Sequence, residues 1–217
     1  MEANKIEIKL LAVIIAAVVL TEAITRCMLL METYHPMIIM GAARITGIVL
    51  IVLIVLLWGR GMSSIGLSPP AIMPGLKTGL LWSALLGAVT LLVFAGLFVA
   101  GIDPMSLIRA DLPSGRKDIL LFFAVGAVIA PVAEEVFFRG VLYGFFRRWG
   151  VVVALVISTV LFVMVHPIGS GVPWPQIAGG VLFAAAYETA GSLAAPMVIH
   201  ILGNLAIFTL SLISGMS

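Results

Sequence analysis

The sequence predicts an all-α fold: a polytopic integral membrane bundle of about seven transmembrane helices, with six to eight as the range. Three observations predict it. Of 217 residues, 62% are hydrophobic and 10% charged, whereas an average soluble domain carries about 25% charged residues. The mean hydropathy is +1.25. Apolar runs also recur at the length of a membrane span, roughly 20 residues at about 1.5 Å each. A water-soluble fold needs more polar surface than this, and a disordered chain needs more charge and fewer apolar residues. The net charge is +2 and Lys and Arg are scattered, so no basic stripe points to nucleic acid. Cys27 is the single cysteine, which excludes an intrachain disulfide and a Cys/His metal cluster.

Taken in order, the runs place spans at about 8–31, 36–58, 75–100, 118–146, 150–166, 174–190 and 193–213. The first is too long for the apolar core of a signal peptide and lacks a convincing small-residue cleavage site before the second, so it reads as a retained helix. Between the second and third, Gly66, Pro69, Pro70 and Pro74 mark 61–74 as an interfacial loop. The last four runs are interrupted by Gly and Pro, and two of them are short. Trp149 and Trp174 read as interfacial anchors. No internal repeat or second composition divides the chain, so residues 1–217 read as one membrane domain. Cationic loop residues orient it. With the N-terminus cytoplasmic, Lys5, Lys9, Arg60, Lys77, Arg147 and Arg148 fall inside, and Arg109, Arg116 and Lys117 fall outside.

Ionisable groups inside a bilayer cost several kcal/mol unless paired or wetted, so each is a functional candidate. Glu134, Glu135 and Arg139 lie in the fourth run, Phe162 and His166 at the end of the fifth, and His200 and Asn204 in the seventh. The turn after the fourth run is marked by Arg147, Arg148 and Gly150. Glu134 lies about 21 Å of helix before that turn and His166 about 24 Å after it, so an antiparallel hairpin brings them to similar depth. His200 and Asn204 lie roughly 12–18 Å beyond the Gly191–Ser192 turn and, four residues apart, share one face. They share the layer of Glu134 and His166 if the seventh helix starts somewhat deeper, and two carboxylates, two imidazoles and an amide can then converge near mid-membrane.

That set resembles a hydrolytic site. A carboxylate desolvated among apolar side chains suits a general base acting on water. The imidazoles could orient that water, stabilise an oxyanion or bind a divalent metal, and Asn204 could donate to the oxyanion. Glu135 and Arg139, at i and i+4, can pair on one face and leave Glu134 to the cavity. Taken singly, each cluster has a structural reading: an intrahelical ion pair, a packed histidine beside Pro167, an asparagine joining helices. Their coincidence at one depth favours a site. Of the other intramembrane charges, Glu22 and Arg26 read as a structural i, i+4 pair, and Arg44 as a side chain that snorkels. The alternative is that these three line a substrate route and meet a carboxylate or lipid headgroup. Glu188 reads as a cap or anchor at the turn before the last span.

The run Glu134-Glu135-x-x-x-Arg139, then Phe162-x-x-x-His166, then His200-x-x-x-Asn204 resembles the CPBP family of intramembrane proteases. That family groups type II CaaX prenyl endopeptidases with bacteriocin-processing and self-immunity proteins. The flanks Phe138-Arg139-Gly140-Val141-Leu142-Tyr143 and Tyr187 to Pro196 are similar too, and the resemblance covers about 118–208. It implies an intramembrane endopeptidase cutting a membrane-anchored protein or peptide: a C-terminal sorting tail, a prenylated CaaX protein or a peptide precursor. Carried over, Glu134 activates water, His166 and His200 assist, Asn204 holds the oxyanion, and Glu135 and Arg139 support them. Glu134, His166 and His200 could instead supply three zinc ligands with an open water position. The tight ligand spacing of a soluble zinc-protease helix is absent, so the reading leans to a metal-free glutamate mechanism without a cofactor. The compact chain favours a prokaryotic processing role, hence the cytoplasmic (inner) membrane. Two other classes stay in view. Buried Glu and His chains also relay protons in transporters, although the broken-helix repeat of many transporters is not found. A non-catalytic bacteriocin-immunity membrane protein would keep the motifs for packing alone.

Overall fold

All seven apolar runs become helices. The computed structural model describes residues 6–166 and 172–215, so Lys5 and Pro167 lie outside the described residues. The helices are α1 (Ile8–Leu30), α2 (Pro36–Trp58), α3 (Pro69–Val99), α4 (Arg116–Trp149), α5 (Val151–Met164), α6 (Trp174–Ala190) and α7 (Ala194–Ser214). No strand occurs among the described residues. Among the described residues five helices, α1 to α4 and α7, are long and apolar enough to cross a membrane. Helix α5 has 14 residues, roughly 21 Å, and falls short of the ~30 Å hydrocarbon core. Helix α6 has 17. Trp149 and Trp174 are both exposed.

Two expectations change. Helix α3 begins at Pro69, inside the stretch read as loop. Pro69 and Pro70 occupy its first two positions, where the missing N–H groups would have had no intrahelical partner. Prolines that look like breakers therefore start this helix, and Pro74 lies within it. The rest of the loop is not interfacial either. A 3-10 turn at Met62–Ile65 buries Ser64 and Ile65 completely or nearly so. Gly66 follows in the left-handed region with φ +78°, and its carbonyl accepts from the Leu193 N–H at 2.9 Å. A Cβ at Gly66 would sit 2.5 Å from the Tyr187 ring. A side chain there meets strained backbone and a filled space together.

The polar core belongs to α4. Every residue from Glu135 to Tyr143 except Phe137 is buried, enclosed by α5, α6 and the 62–65 turn. Helix α3 is the opposite case, with Gly75 and Gly79 its only buried residues. Those two glycines let it approach α7 closely. A Cβ on Gly79 would fall 2.7 Å from the Ala195 carbonyl, the small-residue contact that brings membrane helices together. At the other end His35 caps α2. Its Nδ1 accepts from the Met37 N–H, and its Nε2 lies 3.2 Å from Asp118 Oδ1, tying the first turns of α2 and α4.

Candidate active site

The site begins with an irregularity in α4. Pro131 lies inside the apolar run; it has no N–H, and in a regular α-helix its ring would strike the carbonyl four residues back. The helix adopts a wider π turn over Phe123–Ile129, returns to α for Ala130–Glu134, and widens again over Glu135–Tyr143. Such π segments inside α-helices frequently occur at functional sites. In this register the Ala130 N–H donates to the Val125 carbonyl, five residues back. The next carbonyl, Gly126, would take the N–H of residue 131, which is proline. Asn204 of α7 supplies the missing donor, its Nδ2 lying 3.0 Å from the Gly126 oxygen.

Past that tie, Glu134 and Glu135 take different partners. Glu135 has no exposure. Its Oε1 accepts from Arg139 Nη1 at 3.0 Å and lies 2.8 Å from His200 Nδ1. Arg139, equally buried, also donates to the Gly180 carbonyl at 3.2 Å. Its guanidinium stands 4.5 Å from the Phe162 ring centroid and 5.1 Å from that of Phe183. His200 stacks on Phe183 with centroids 4.4 Å apart. The expected pairing of Glu135 with Arg139 is thus present, and it also fixes His200. A carboxylate on Nδ1 makes that nitrogen the N–H donor and leaves Nε2 for the site.

His166 is held by the same logic. Its Nδ1 lies 2.7 Å from the Phe162 carbonyl, which can only accept, so Nδ1 carries the proton and Nε2 is free. Both free nitrogens meet Glu134. Oε2 of Glu134 is 3.8 Å from Nε2 of His166 and 3.8 Å from Nε2 of His200. That gap exceeds a direct hydrogen bond and suits one bridging water. Glu134, His166 and His200 are therefore brought together from α4, the end of α5 and α7. Asn204 lies on the same face of α7 but spends one N–H on Gly126.

These three side chains are also the zinc candidates. Their donor atoms are of the right kind, yet a tetrahedral zinc site sets its ligand atoms roughly 3.3 Å apart, closer than 3.8 Å. Among the described residues no three His, Cys, Asp or Glu side chains are set to hold a metal ion.

Other charges deviate from expectation. Glu22 does not pair with Arg26. It is bonded to Arg44 of α2, and Arg44 does not snorkel alone. Both residues line a cleft that also contains Glu134 and Phe137. Its cavity of about 60 Å³ holds a few waters. Glu188 does anchor the end of α6, by joining it to α4: it takes three bonds from Arg147 and one from Tyr143 Oη at 2.7 Å. The residues that sequence reasoning missed here are Pro131 and Gly126. A proline three residues before a Glu-Glu pair in an apolar run was the available signal.

Residues 116–206 match the family model described as type II CAAX prenyl endopeptidase Rce1-like. That stretch contains all seven residues of the three motifs. No curated protein and no solved structure matches the chain.

Proposed function

We propose that the chain, whose residues 116–206 match the model of the Rce1-like type II CAAX prenyl endopeptidases, is an intramembrane endopeptidase in which Glu134 activates the attacking water. One observation carries this. The Glu134 carboxylate faces two imidazole Nε2 atoms at 3.8 Å each, while both Nδ1 atoms are engaged elsewhere. A water in that space donates one proton to Glu134 and attacks the scissile carbonyl. Glu134 then passes the proton to the departing amine, so it begins and ends as a carboxylate. The imidazoles orient the water, and a ring protonated at Nε2 donates to the oxyanion. On His200 such a charge is balanced by Glu135, the part a carboxylate plays behind a catalytic histidine. Asn204 is assigned a positioning role, holding the Gly126 carbonyl and with it the turn that presents Glu134. No step uses a metal or another cofactor. The substrate is a membrane-anchored protein or peptide, and the N-terminus is assigned to the cytoplasmic side of a prokaryotic inner membrane.

The test uses purified protein in micelles with a prenylated CAAX reporter peptide and a reporter ending in an apolar sorting tail. Glu134→Gln should lower turnover by ~10²–10⁴-fold while the melting temperature holds. His166→Ala and His200→Ala should each be strongly impaired. Undiminished turnover in Glu134→Gln would overturn the glutamate base. Activity that falls with chelator and returns with zinc would replace this mechanism by a metal-dependent one.

A further inference from the structure

We infer that Arg44 is a docking subsite for the C-terminal carboxylate of the substrate, with Glu22 as the built-in counter-ion against which that carboxylate competes. The inference rests on the endopeptidase reading and adds to it where the substrate ends.

The first support is the shared cleft. Glu134 forms one wall from α4, and Glu22 and Arg44 form another from α1 and α2. The second is the state of Arg44. A guanidinium has five N–H donors in a planar fork with two edges that can each take a carboxylate. Glu22 engages Nη1 alone, and no other donor of Arg44 has a partner among the described residues. Its side chain is 32% exposed, so those donors are open to a ligand. By contrast Arg139 is wholly buried, with Glu135 and the Gly180 carbonyl as its hydrogen-bond partners.

The third support is helix register. Helices α2 and α4 run in the same direction, with His35 level with Asp118 and Gly41 against Val125. The offset of 83 or 84 residues puts Glu134 beside about residue 50, and Ile51 indeed lines the same cleft. Arg44 therefore sits roughly six residues, or about 9 Å of helix, from the level of Glu134. Side chains of parallel helices lean toward the same end, so the separation carries over to the functional groups. An extended peptide covers 9 Å in about three residues. A carboxylate on Arg44 thus places a bond two to three residues upstream beside Glu134.

The test measures binding of a fluorescent prenylated CAAX peptide, as free acid and as C-terminal amide, to Glu134→Gln protein in micelles, where the probe is not consumed. The acid should bind on the order of tenfold tighter than the amide. Adding Arg44→Gln should abolish the preference, and adding Glu22→Gln should enlarge it. If Arg44→Gln disturbs folding, Glu22→Gln with Arg44→Gln keeps an amide pair between the helices and should bind acid and amide alike. Equal binding of the two probes, or a preference that survives loss of Arg44, overturns the inference. Stoichiometric phosphatidylglycerol displacing the acid probe would overturn it in favour of a lipid headgroup. The two readings fail separately. Wild-type protein that binds the acid selectively and cuts nothing keeps the subsite and loses the protease. Wild-type protein that cuts acid and amide equally does the reverse.

Discussion

Glu135 and Arg139 pair within one helix with no exposure, whereas Glu22 and Arg44 join two helices with 40% and 32% of their side chains exposed. The sequence offers the same local pattern twice, since Glu22 and Arg26 are also four apart. Only one intrahelical pair forms. Helix α4 presents Glu135 and Arg139 to α5, α6 and α7, where no water competes and a charge without a partner would be intolerable. Helix α1 presents Arg26 outward, and a better-placed cation on α2 takes Glu22. Spacing makes a pair available; enclosure decides whether it is used. The enclosed pair holds machinery in place, and the open pair keeps spare donors for a ligand.

The largest effect should come from breaking the enclosed pair. Glu135→Ala leaves Arg139 buried without its carboxylate, which should cost about 3–5 kcal/mol of stability, measured by denaturation in micelles. Glu22→Ala should cost within about 1 kcal/mol, as exposed pairs do. Replacing both enclosed partners, as Glu135→Leu with Arg139→Met, should recover most of the stability. Turnover should stay lost, because His200 then has no partner on Nδ1. A double variant that regains activity would reduce the enclosed pair to packing.

A smaller effect distinguishes a positioning residue from an oxyanion donor. Asn204→Ala strands the Gly126 carbonyl, a penalty of about 1–3 kcal/mol, and should lower turnover by loosening the turn before Glu134. Pro131→Ala returns an N–H five residues from Gly126. Combined with Asn204→Ala it should restore both stability and turnover. An Asn204 that donates directly to the oxyanion would gain nothing from that second change, so a failed rescue returns the residue to the catalytic group.

Much of this was legible in the sequence. Helices α1, α2 and α6 lie within a residue of the apolar runs, because hydropathy and length report lipid or core burial directly. The convergence of Glu134 and His166 followed from depth, since helical rise converts residue counts into height, whereas His200 joined them only on the condition that its helix starts deeper. The i, i+4 spacing also separated the duties of Glu135, paired with Arg139, and Glu134, left to the cavity. Pairing across helices was not legible, and neither were the π turns, which leave hydropathy unchanged and shift only which face each later residue presents. Pro69 and Pro70 have one meaning inside a helix and another at its start, and composition does not say which. Glu22–Arg44 is a contact across 22 positions, set by how α1 lies on α2, and local spacing pointed to Arg26 instead.

The smallest predicted effect falls on that unused partner. Arg26 is exposed on α1 and lies in its last third, close enough to the helix end for its long side chain to reach the interface. Arg26→Gln should therefore change stability by no more than about 0.5 kcal/mol and leave turnover unchanged. Arg44→Gln should alter the discrimination between free-acid and amidated peptide while leaving Glu134 and its histidines in place. The contrast is informative because both changes remove one positive charge from the neighbourhood of Glu22. Were general neutralisation of Glu22 the requirement, either arginine could serve and each single variant would be mild. A marked loss from Arg26→Gln would mean that Glu22 exchanges between two cations, and the open pair would then be a moving counter-ion and not a fixed dock.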